Sequence, residues 1–202
     1  SKGRLLTVQH GEIQVMREIE DLRFCYCSPR GVLYVVGDTF VPGDGRMGWV
    51  QKFVDGNLVP VIDSVNVARP FKFTAYSICV SKNEILYIAG SQYIYDREFI
   101  LKVDPNSSEP EIVGFAEPDD DCRDDNFHFS GVFVTDSGKV YATDREPEQI
   151  VTFNECDTQP VQVLDLSWTT YDEPVDLFVE EECVYVLFSS GQVYKYAFPP
   201  KL

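Results

Sequence analysis

The chain has 202 residues, 44% of them hydrophobic and 13% aromatic, a composition that folds and excludes a disordered polymer. Lys and Arg number 17 against 33 Asp and Glu, a formal net charge of −16. Such a surface repels phosphate backbones and anionic lipid heads, so nucleic acid and membrane are poor partner classes and basic protein segments or cations are better ones; an acidic surface that serves solubility alone is the competing reading. No apolar run is long enough to span a bilayer.

In chain order the predicted elements are short strands. Residues 4–8 and 12–17 form a hairpin around His10-Gly11. The next strands are 24–27, 32–36, 49–54 and 58–62, separated by Ser28-Pro29-Arg30-Gly31, a Gly-rich loop and Asp55-Gly56-Asn57. Asp-Gly between two apolar runs is a strong hairpin signal. The plan repeats over 76–80, 85–89, 99–103 and 111–115, then over 131–134, 139–143, 149–153 and 161–164. A last set, 175–179, 184–188 and 192–196, has no fourth strand after it. No segment shows helical periodicity.

One tyrosine recurs through these units. Leu33-Tyr34-Val35-Val36-Gly37, Leu86-Tyr87-Ile88-Ala89-Gly90, Val140-Tyr141-Ala142-Thr143 and Val184-Tyr185-Val186-Leu187 are one segment in four copies, the tyrosines standing 53, 54 and 44 residues apart. A period of that size in strand-like units marks a repeat architecture. The expected fold is all-β: a β-propeller of about four four-stranded blades, covering residues 22–63, 74–115, 129–166 and 175–198 plus 4–19 as a single domain 1–202. The alternating stretch Glu12–Arg17 is expected to complete the last blade and close the ring, which removes exposed edges. The N-terminal hairpin then carries one strand too many. An extra strand, a piece of a larger propeller, and two chains that complete each other all fit. The chain opens on Ser1 and not Met, which fits a piece excised from a longer protein.

Gly138-Lys139-Val140-Tyr141-Ala142-Thr143-Asp144 with Gln149-Ile150-Val151-Thr152-Phe153-Asn154 resembles an NHL-type blade, and the Tyr34 and Tyr87 segments resemble kelch repeats. The kelch double glycine and the WD dipeptide are absent. The resemblance implies a ring face that binds macromolecules; some such propellers are enzymes.

Loops carry function more often than scaffolds do. Arg69, Phe71, Phe73, Tyr93, Tyr95 and Arg97 lie in one blade and its leading loop, and with Trp49 and Tyr171 they are the expected partner-binding residues, because aromatic and Arg side chains make interface hot spots. The alternative is that most of these aromatics pack between blades. Residues 117–125 hold six carboxylates and one Arg. Oxygen-rich clusters suit Ca²⁺, so Asp119, Asp121 and Asp124, with Asp172 from the next unit, are candidate calcium ligands; a solvated acidic loop is the competing reading. No other cofactor is expected.

His10 and His128 are the only histidines, and no nucleophile or phosphate-loop motif is present. The expected function is therefore a non-catalytic protein-interaction or scaffold domain, monomeric or dimeric. A Ca²⁺-dependent, gluconolactonase-like hydrolase and a lectin-like or assembly module are the alternatives. The six cysteines show no C-x-x-C pair, which is expected of reduced thiols in an intracellular protein.

Overall fold

The computed structural model describes residues 2–9, 12–43, 45–63, 65–66, 72–92, 97–107, 109–116, 129–145, 148–154, 157–167, 172–180 and 182–198. Among the described residues every regular element is a strand, and every pairing is an antiparallel neighbour-to-neighbour one. β1 (Lys2–Gln9) and β2 (Glu12–Glu20) make a hairpin. The first blade is β3 (Leu22–Cys27), β4 (Leu33–Val41), β5 (Gly45–Val54) and β6 (Asn57–Asp63). The second is β7 (Thr74–Val80), β8 (Leu86–Gln92), β9 (Arg97–Val103) and β10 (Glu111–Ala116). The third is β11 (Phe129–Val134), β12 (Val140–Arg145), β13 (Glu148–Asn154) and β14 (Asp157–Asp165). The fourth has β15 (Pro174–Glu180), β16 (Cys183–Phe188) and β17 (Val193–Ala197). The all-β propeller expectation holds.

Turn chemistry explains the repeat. In the first three blades the innermost strand ends on a hydroxyl residue, Ser28, Ser81 or Thr135, whose Oγ accepts the amide of Val32, Ile85 or Lys139 at 3.2, 3.2 and 3.1 Å. The residue before that amide is left-handed in each turn: Gly31, Glu84 and Gly138, with φ of 76, 64 and 84°. Between β5 and β6, Asp55 and Gly56 both take positive φ, as a two-residue hairpin matched to strand twist requires.

The recurring tyrosine sits in the second strand of every blade, and in the first three it faces the next blade. Tyr34 packs in the cluster between blades one and two, Tyr87 in that between two and three, Tyr141 in that between three and four. The middle strands are buried on both faces, Val35 and Val36 being wholly enclosed, so they read as continuous apolar runs. Gly90 ends the Tyr87 segment because a Cβ there would lie 2.4 Å from the Thr74 carbonyl oxygen, a backbone atom that cannot yield.

The ring is not closed. Among the described residues β17 pairs with β16 alone, and β2 pairs with β1. The expected closure by an N-terminal strand is corrected: the hairpin leans on the blade it leads into. Ile19 clusters with Val35, and Gly3 approaches Leu22 so closely that a Cβ would meet it at 2.6 Å. Among the described residues Tyr185 consequently faces no further blade. It donates its hydroxyl to Glu180 at 3.3 Å and lies under the Lys195 ammonium at 5.2 Å.

Candidate functional site at the central channel

The four innermost strands break register at the same place. β3 slips between Leu22 and Phe24, β7 between Ala75 and Ser77, β11 between Phe129 and Gly131, and β15 between Pro174 and Asp176. A bulge re-aims the side chains that follow it. Two of the skipped residues tie neighbouring blades: Arg23 donates to the Ala75 carbonyl at 3.4 Å, and Ser130 Oγ to the Pro174 carbonyl at 2.6 Å. Immediately after each bulge stand Phe24, Ser77, Gly131 and Asp176.

Three of these meet on the axis. Asp176 Oδ1 accepts the Leu177 amide at 2.9 Å, and Ser77 also hydrogen-bonds the carboxylate. Gly131 makes room: a Cβ there would lie 2.7 Å from Asp176 Cα and 2.9 Å from its Oδ1. Below them Tyr26 Oη and Cys79 Sγ lie 3.5 Å apart. All four innermost strands line one cavity of 1730 Å³, bounded by Tyr26, Cys79, Phe133, Asp176 and Phe178 and opening on the face that carries Pro29, Lys82 and Ser137.

The cluster is short of charge. Surrounding protein pushes the Asp176 carboxyl up, although the residue is exposed. Burial also raises the Cys79 thiol and, with Cys79 as a further cause, the Tyr26 phenol. The thiol is therefore not the nucleophilic thiolate. Chemically the group is a set of hydrogen-bonding partners around one carboxyl that can hold a cation or exchange a proton.

At the channel's other end Arg145 lies over the Tyr76 ring at 5.9 Å and pairs with Glu173 at 3.6 Å. Nearby, Glu148 has its carboxyl raised by burial and then by the charges of Glu173 and Asp172.

The structure separates the predicted site residues. Phe73 is 1% exposed and packs between blades one and two, so it offers no partner surface, a correction explained by the close approach of Gly48 to its ring. Trp49 packs beside Ile19 and Val35. Arg97 opens β9 opposite Gln92. Asp172 accepts from the Ser189 hydroxyl and, at 2.9 Å, the Ser190 amide; these bonds hold its carboxyl below the usual range. Arg69, Phe71, Tyr93, Tyr95, Tyr171, Asp119, Asp121 and Asp124 lie outside the described residues. Among the described residues no three His, Cys, Asp or Glu converge to hold a metal. Sequence reasoning missed Tyr26, Ser77, Cys79 and Asp176; the available signal was a lone carboxylate in the apolar inner strand Val175-Asp176-Leu177-Phe178.

No protein-family model and no curated protein matches the chain. Solved structures do. An extracellular domain of a one-component system from B. thetaiotaomicron is 8% identical with a TM-score of 0.58, over 95% of this chain and 24% of that one. A Thermus thermophilus protein named as an oxidoreductase of glucose dehydrogenase type is 14% identical with a TM-score of 0.61, over 98% of this chain and 74% of that one. The PQQ-bound aldose sugar dehydrogenase of Streptomyces coelicolor is 11% identical with a TM-score of 0.64, over 96% and 71%. The chain thus spans about a quarter of the first of these and nearly three quarters of the others. This likeness is to propeller-like folds, and no kelch or NHL family is identified. It corrects the expectation that the chain is not an enzyme: proteins named as enzymes share the fold, and a fold by itself excludes no chemistry.

Proposed function

We propose that this protein is a binding propeller whose partner enters the central channel from the Pro29–Lys82–Ser137 face. The observation that carries the reading is the convergence of all four innermost strands on one 1730 Å³ cavity with polar groups at its axis. Ligand sites are concave, mostly apolar and marked by a few convergent polar groups. This cavity exceeds the usual small-molecule range of roughly 300–1,000 Å³, so a segment of a protein chain fits it better than a metabolite does. The partner class is the one expected from composition; the surface is placed in the channel, and Phe73 of the expected loop-face set is core.

The test pans a displayed peptide library on the protein and challenges the enriched peptides with Pro29→Trp/Ser137→Trp, which narrows the mouth at two exposed turns. Binding should be lost in that variant and retained in Arg145→Ala at the opposite end. Equal binding to the narrowed variant, checked for folding by circular dichroism, overturns the reading.

A further inference from the structure

Asp176 lies among the polar groups of the axis. Of the other carboxylates lining the cavity, Asp136 has a counter-charge in Lys82, across blades two and three. Asp176 has none among the described residues, its partners being a hydroxyl and a backbone amide. Asp176 is exposed on the cavity wall with no opposite charge beside it, so a cation that enters can pair with it directly.

The walls supply the rest of a cation site. Phe178 follows Asp176 by two residues, so both project from the same side of β15. Its ring is 51% exposed and meets Phe133 edge-on at 5.0 Å. An exposed aromatic face beside a carboxylate accepts the stem and the charge of a long cationic side chain. Four carboxylates, Asp136, Asp176, Glu180 and Glu182, line the cavity against two ammonium groups, Lys82 and Lys139. Lys82 is held by Asp136, and Lys139 lies over the Tyr141 ring at 5.0 Å. The lining therefore carries the same sign as the chain as a whole.

We propose that the channel takes an extended basic segment of a protein partner, with a lysine or arginine side chain set against Asp176 and its stem along Phe178. This rests on the channel reading above and names its occupant. Gly131 and Ser77 are positioning residues: one lets β11 approach the carboxylate, the other orients it. Burial favours the protonated forms of Tyr26 and Cys79, so Asp176 is the group at the axis that offers a carboxylate.

The experiment measures fluorescence anisotropy of a labelled alternating Lys-Ala peptide and a matched Glu-Ala peptide against the wild type, Asp176→Asn, Asp55→Asn and Pro29→Trp/Ser137→Trp. Asp55 is an exposed carboxylate in a distant hairpin and controls for overall charge. The Lys-Ala peptide should bind, the Glu-Ala peptide should not, and Asp176→Asn should weaken binding about tenfold or more while Asp55→Asn does not. Free n-butylguanidinium should displace the peptide from the wild type and n-butanol should not, a readout that needs no variant to fold. Lys-Ala binding unchanged by Asp176→Asn but abolished by the narrowed mouth overturns the cation assignment and leaves the channel reading standing. Binding unchanged in every variant overturns both.

Discussion

Tyr34 donates its hydroxyl to Glu84 Oε2 at 3.2 Å, reaching from the second strand of the first blade to a turn of the second. Glu84 holds a φ of 64° where the corresponding turns have Gly31 and Gly138. A non-glycine residue in that region costs roughly 1–2 kcal/mol, and the bond to Tyr34 and the nearby Arg30 offset it. Glu84→Gly is therefore expected to be close to neutral in the wild type, and to stabilise Tyr34→Phe by about 1 kcal/mol. A double-mutant cycle in urea should show a coupling of about 1–2 kcal/mol. Additive effects would mean that the bond contributes nothing to the blade junction.

The same tyrosine makes stability depend on alkaline pH. Burial, and then the Glu84 charge, pushes the Tyr34 phenol up to about 12, above its unfolded value of about 10. The native state then holds the proton more tightly than the unfolded chain does. That contribution is fully present below about pH 10 and is lost as pH rises toward about 12. Denaturant midpoints should fall across that window, and fall less in Tyr34→Phe. An identical slope in the variant would remove Tyr34 as the source.

Asp176 should weigh against stability at neutral pH. Its raised carboxyl contributes stability below its unfolded pKa that is lost as pH rises through the folded value. Asp176→Asn keeps an oxygen for the Leu177 amide and removes the charge. The melting midpoint at pH 7 should rise, with little change near pH 3. A fall at pH 7 would mark the carboxylate as structural and would count against its role as a binding group.

Gly131→Ala tests the close approach that forms the site. The new methyl would meet Asp176 Cα, Thr143 Oγ1 and Asp176 Oδ1 within 2.7–2.9 Å, and overpacking of this kind costs about 1–3 kcal/mol. The loss should appear as a lower urea midpoint, together with weakened Lys-Ala peptide binding. Unchanged stability and binding would show that β11 and β15 can separate without consequence.

Much of the architecture was legible from residues alone, because its determinants are local. Strand alternation, the Asp55-Gly56 hairpin and the hydroxyl-to-glycine turns act over a few positions, so the blades and the tyrosine in each second strand could be read directly. What the tertiary structure decided is non-local. The four bulges depend on strands packing around one axis, and they bring Ser77 and Asp176 together across two blades. The open ring depends on where the hairpin packs: against Leu22 and Val35, with β17 paired to β16 alone among the described residues. The recurring tyrosine needed only its neighbours in sequence; the lone carboxylate of an inner strand acquired meaning only when three other strands converged on it.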